Sequence, residues 1–198
     1  MSRVELLDGN TFDAKQTWTQ SPALRGSTYS ISDEVIAQRE YKHDPAQLEL
    51  LQFGAKEWRN IGAQPEKGCL GKIAFVSDDC LAYACKGFRL VSIDGKVVMN
   101  DRFLRSERIG AESKFAVARD TGSAALSLED AKDNWDTGGR LNAIHIAVYS
   151  LSLKKRVTTL NVRPLPKEDF DFALSPDGSK LAVLNDRNLS LYSVPTGD

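Results

Sequence analysis

Alanine recurs inside short apolar runs at Ala37, Ala82, Ala125 and Ala182, at intervals of 45, 43 and 57 residues. A second series, Leu7, Leu51, Val91, Tyr149 and Tyr192, sits in apolar–polar alternating segments at intervals of 44, 40, 58 and 43. Both series put their one long interval in the same place. Removing roughly 14 residues there restores a period of about 40–45 residues, the length of a four-stranded repeat. A 198-residue chain made of one recurring unit must stack those units so that each buries its faces on its neighbours.

The last copy shows the unit most clearly. Phe170–Ser175 alternates apolar and polar positions, and Pro176-Asp177-Gly178-Ser179 then forms a turn. Proline presets the backbone early in such a turn and glycine accepts positive φ. Lys180–Leu184 is an apolar run, Asn185–Asn188 a polar break, and Leu189–Val194 alternates again. This reads as strand, tight turn, strand, short loop, strand.

An upstream copy adds a fourth strand. Lys72–Ser77, Cys80–Ala84 and Phe88–Ile93 are followed by Asp94-Gly95 and then Lys96–Met99. Asp-Gly between alternating runs is a strong hairpin signal. A third copy comprises Ser113–Ala118, Ser123–Leu128, Ile144–Tyr149 and Arg156–Leu160, with a polar insertion at Glu129–Arg140. A weaker copy begins at Thr28, and the first twenty residues read as half a unit. Within the weaker copy, Asp44–Leu51 is open between strand and helix: Asp44 could cap a helix with Pro45 at its first position. The repeat phase favours a strand there, with Glu57–Ile61 as its partner.

The sequence therefore predicts an all-β fold of β-propeller blades, four antiparallel strands each. The repeats fall at about 1–20 (half a blade), 27–66, 71–104, 113–162 and 169–198 (incomplete). Seventeen strands result, one more than a closed four-bladed ring uses. The expectation is a partial, open propeller; a nearly closed four-bladed ring is the alternative. Open blade edges would invite self-association.

Ser175-Pro176-Asp177-Gly178-Ser179-Lys180-Leu181-Ala182 resembles the blade signature of bacterial WD-repeat-like propellers, including the TolB-type and quinoprotein-like repeats. Val4–Asp8 and Leu189–Tyr192 look like third strands of such blades. Only the last copy matches the signature closely. Trp135-Asp136 lies in the insertion and not at a repeat end. The resemblance implies a fold that hosts many unrelated functions.

Composition narrows those functions. With 26 basic and 27 acidic residues and a net charge of -1, the chain lacks the basic excess of a nucleic-acid binder. Membrane-surface binding is disfavoured on the same ground, and no apolar stretch approaches a membrane span. The N-terminus does not read as a signal peptide. A chain that truly starts at Met1 is expected in the cytoplasm; one lacking an upstream region is expected to be periplasmic or secreted. Cys69, Cys80 and Cys85 form no pair at metal-ligand spacing. They are expected to be free, buried and apolar in behaviour.

No catalytic motif, phosphate loop or dinucleotide fingerprint is present. His43 sits in a polar break beside Asp44, and His145 lies inside a strand. The insertion's Glu129, Asp130, Asp133, Asp136 and Asn134 suggest calcium, but Lys132 falls on a ligand position and the sixth position lacks glycine. No metal and no cofactor are expected. Propeller topology would place His43, Asp44, Lys86, Arg105, Asp133, Trp135, Asp186 and Arg187 on one loop-bearing face, the expected partner-contact residues. The stretch Arg102–Arg108 is read as a solvated linker. The expected function is non-enzymatic binding of a protein or peptide. The alternative is a fragment of a propeller enzyme, a quinoprotein-like dehydrogenase or a hydrolase, whose catalytic part lies elsewhere.

Overall fold

The computed structural model describes residues 2–7, 14–20, 28–31, 35–40, 47–52, 55–62, 72–104, 106–110, 113–131 and 141–195. Among these residues there are eighteen strands and one short 3-10 turn. Strands β1 (Ser2–Leu7) and β2 (Ala14–Gln20) pair antiparallel with each other. Four strands follow as one sheet, β3 (Thr28–Ile31), β4 (Val35–Glu40), β5 (Gln47–Gln52) and β6 (Arg59–Asn60). Residues 47–52 are thus strand, paired with β6, and the helical alternative is discarded. The next sheet is β7 (Lys72–Ser77), β8 (Cys80–Ala84), β9 (Gly87–Ser92) and β10 (Val97–Arg102), in simple meander order.

The third full sheet holds β11 (Glu107–Arg108), β12 (Phe115–Ala118), β13 (Ser123–Ala131), β14 (Leu141–Ser150) and β15 (Lys155–Val162). The last described sheet has three strands: β16 (Phe170–Leu174), β17 (Lys180–Asn185) and β18 (Asn188–Ser193). The first strands β3, β7, β12 and β16 touch in series, which makes them the inner rim of an arc of blades. The fold is an all-β, partial propeller.

The alanine series marks one structural register. Ala37 faces Leu50, Ala82 faces Leu90, Ala125 faces Val148 and Ala182 faces Leu191, each across the second and third strands of its own sheet. A small second-strand residue leaves room for the neighbouring sheet to pack closely. Among the described residues, three apolar clusters occupy the spaces between sheets. Leu48, Leu50 and Ile61 meet Ile73, Phe75 and Val91. Phe88 and Leu90 meet Ala124, Leu126 and Tyr149, with the Phe88 and Tyr149 rings stacked at 3.8 Å. Ala125, Ile146 and Val148 meet Phe172, Leu181 and Val183. Because the middle sheets are covered on both faces, Leu81–Ala84 is buried at every position.

Turns carry out the local conditions. Gly95 has φ +90, and a Cβ there would fall 2.1 Å from the Ile61 carbonyl oxygen of the preceding sheet. Gly178 has φ +66 and lies against Thr121 and Ser123, in the corresponding turn one sheet earlier. Both positions need glycine for backbone conformation and for space.

Four expectations are corrected. The segment after Arg102 is not a solvated linker throughout, because Glu107 and Arg108 pair with Asp130 and Glu129 as β11. With β12 it forms one interrupted inner strand along β13. Buried Ser113 and Ser127 stitch the interruption, through Gly110 N–H to Ser113 Oγ and Lys114 N–H to Ser127 Oγ. This strand raises the count from seventeen to eighteen. The insertion begins as strand: Glu129, Asp130 and Ala131 extend the ladder opposite Ile144, Ala143 and Leu141. Finally, Cys80 is free but Cys85 is disulfide-bonded, and Cys69 lies outside the described residues.

Candidate functional site

The terminal sheet differs from the others in what it leaves uncovered. In the preceding sheets the third strand is followed by a fourth: β6 on β5, β10 on β9, β15 on β14. Among the described residues no strand pairs with the outer edge of β18. Every residue of β18 is exposed. Leu189 and Leu191 keep 74% and 69% of their surface in water, and Tyr192 and Leu184 are exposed beside them. The register makes the contrast sharp. Leu50, Leu90 and Val148 are 4%, 2% and 0% exposed at the position that Leu191 holds. Leu191 is placed for an inter-blade contact that this chain does not supply among its described residues.

Charge supports the same distinction. The fourth strands carry exposed charges of the kind that protect a sheet edge, Arg102 on β10 and Lys155 on β15. Strand β18, Asn188-Leu189-Ser190-Leu191-Tyr192-Ser193, carries none.

A cleft of about 310 Å³ opens at the start of β18, lined by Lys167, Glu168, Asp169, Asp186, Arg187 and Asn188. Asp186 shapes it. The Asp186 carboxylate accepts the backbone N–H groups of Lys167 and Glu168 at 2.9 Å each and of Asp169 at 3.3 Å. These N–H groups, Glu168's foremost, hold the carboxyl below its ordinary pKa. Asp186 is thus occupied in forming the loop, whereas Arg187 is exposed beside it. Lys86 is also exposed, in the turn between β8 and β9. Of the other expected contact residues, His43, Asp44, Arg105, Asp133 and Trp135 lie outside the described residues.

Sequence reasoning missed a polar cluster between the second and third full sheets. Arg156 of β15 donates through Nε to Asp101 Oδ2 of β10 at 3.1 Å and through Nη1 to Glu107 Oε1 at 3.0 Å. The Tyr149 hydroxyl donates to the same Asp101 oxygen at 2.9 Å. Burial pushes the Tyr149 hydroxyl's pKa up, so it stays protonated as the donor. Burial alone would raise Glu107 as well, but hydrogen bonds from Arg156 and the Leu104 N–H hold it below its usual value. His145, on β14, contacts Asn161 Oδ1 through Nδ1 at 2.6 Å and lies 3.8 Å from Asp130 through Nε2. It is a sheet residue in a polar surface pair. The cluster is fully engaged with itself and ties two blades together. Among the described residues no group of three or more His, Cys, Asp or Glu is placed to hold a metal. No described helix is long and apolar enough to cross a membrane.

No protein-family profile matches the sequence, and no curated protein matches it. Solved structures do match in fold. The structure of Kluyveromyces lactis Hsv2p aligns over 98% of this chain with a TM-score of 0.58 and 16% identity. The dihydro-heme d1 dehydrogenase NirN, solved in complex with DHE, aligns over 99% with a TM-score of 0.56 and 15% identity. This chain spans 57% of the first and 40% of the second. At such identities the likeness concerns architecture alone, and the architecture is that of propeller proteins.

Proposed function

We propose that this chain is a non-enzymatic propeller module that binds a protein or peptide segment along the exposed edge of β18. The observation that carries this reading is Leu191, 69% exposed where its register equivalents are 4% or less. An unprotected strand edge beside an apolar face accepts an extended segment by strand addition, with main-chain hydrogen bonds for affinity and alternate side chains for specificity. The bound segment would resemble β15, extended, with apolar residues like Val157, Leu160 and Val162. The cleft with Arg187 extends the contact from the end of β18. The loop residues His43, Asp44, Lys86, Arg105, Asp133 and Trp135 remain candidates for further contact on the loop-bearing face.

The test is fluorescence polarisation with a labelled synthetic peptide of the Lys155–Val162 sequence. The reading expects saturable binding, lost with a scrambled peptide and weakened by Leu191→Lys. Equal response to the scrambled peptide, or none to either, overturns it.

A further inference from the structure

A cleft of about 230 Å³ lies between the first and second full sheets, at the strand ends opposite Lys86. Its floor is apolar. Leu50 of β5 is buried, and Ala55, before β6, and Ile93, after β9, are half-buried beside it. Its rim is charged. Glu57 and Arg59 come from the first of these sheets and Asp78 from the β7–β8 turn of the second. Two contacts hold the walls together. Arg59 Nη2 donates to the Ile93 carbonyl oxygen at 2.7 Å. Gly95 approaches the Ile61 carbonyl so closely that no side chain would fit there. The cleft is thus built by the packing of two sheets and is formed before any ligand arrives.

We propose that this cleft binds a free aliphatic amino acid the size of leucine. The bond to Ile93 engages one of the N–H donors of Arg59 and orients its planar fork, which suits a carboxylate. Glu57 and Asp78 are exposed carboxylates that make no side-chain hydrogen bond or ion pair among the described residues; they suit an ammonium. Leu50, Ala55 and Ile93 suit an aliphatic side chain, which leaves water as it covers them. Charge then selects among small ligands. A simple carboxylate would meet Arg59 but also two like charges. A simple amine would meet Glu57 and Asp78 but also the guanidinium. A zwitterion answers both signs at once. Size selects too, because the cleft is smaller than the roughly 300 Å³ at which sites for drug-sized ligands begin. In the Arg156 cluster the charges are consumed within the protein, whereas here they line an open space. The rim is exposed, so each ion pair adds little, and millimolar binding is expected.

The experiment follows the backbone amides of the 198-residue chain by NMR as L-leucine is added. The expected result is a saturable shift at Ala55, Arg59 and Ile93. Isocaproate lacks the ammonium and isoamylamine lacks the carboxylate; each should bind at least about threefold more weakly. Glycine lacks the aliphatic side chain and should bind about tenfold more weakly or worse. Asp78→Asn removes a charge from an exposed turn and should weaken leucine about threefold while leaving the rest of the spectrum unchanged. No saturable shift at these residues overturns the site. Isocaproate binding as tightly as leucine, or Asp78→Asn binding leucine unchanged, overturns the zwitterion. Leucylglycine binding as tightly as leucine assigns the cleft to a peptide N-terminus and overturns the free amino acid.

Discussion

Leu191 and Val148 occupy the same place in successive sheets, each opposite a second-strand alanine, Ala182 and Ala125. Val148 is 0% exposed and Leu191 is 69% exposed. The register is shared, but among the described residues no sheet covers Leu191.

Equivalent leucines should therefore respond differently to truncation. Leu90→Ala leaves a cavity between two sheets and should cost about 2–5 kcal/mol. Leu191→Ala, measured where the chain is monomeric, should change stability by about 0.5 kcal/mol or less. Urea denaturation of both variants at low protein concentration checks the pair.

Arg156 should matter for stability although it lies near the surface. It is the common partner of Asp101 and Glu107, and the Glu107 side chain is only 6% exposed. Arg156→Met should cost about 2 kcal/mol, less than a fully buried pair because Arg156 and Asp101 keep contact with water. Arg156→Lys should recover only part of this, since an ammonium cannot present the planar fork that reaches both carboxylates. Thermal unfolding of the two variants separates charge from geometry.

Acid should reveal the same cluster. Glu107 has a folded-state pKa below its usual value of 4.5. Its contribution is then complete above that value and is lost as pH falls through and below it. Glu107→Gln should be less stable than the parent at neutral pH and should show a shallower loss below about pH 4.5. Denaturation curves at a series of pH values give the comparison; parallel curves for both proteins would contradict it.

Gly178→Ala tests the turn between β16 and β17. The substitution imposes a side chain at φ +66 and places a Cβ 2.6 Å from Thr121 Oγ1. A loss of about 1–2 kcal/mol is expected, read by thermal unfolding.

The blade pattern was legible because its signals are local. Strand alternation, Asp94-Gly95 and Pro176–Ser179 each lie within a few residues, and the two periodic series tie the copies together. The second-strand alanines were found as a spacing and proved to be a packing register. What was not legible depends on distance. Arg156 meets Glu107 and Asp101 from 49 and 55 positions away, and no window of sequence connects them. The two-residue β11 is too short to show any alternation, so Glu107 and Arg108 read as linker. The insertion looked polar from Glu129 onward, yet Glu129 and Asp130 sit in a ladder because the hairpin partner Leu141–Ile144 continues opposite them. The state of Cys85 followed from no spacing rule. The exposure of β18 was not read from sequence, although the absence of charge from Asn188 to Ser193 is a local signal for it.

Amide hydrogen exchange of β18 tests binding along its exposed edge most directly. Strand β18 should exchange faster than β9 and β14, its third-strand equivalents, and should slow when the Lys155–Val162 peptide is added. Protection of β18 equal to that of β14 in the peptide-free monomer would contradict the account.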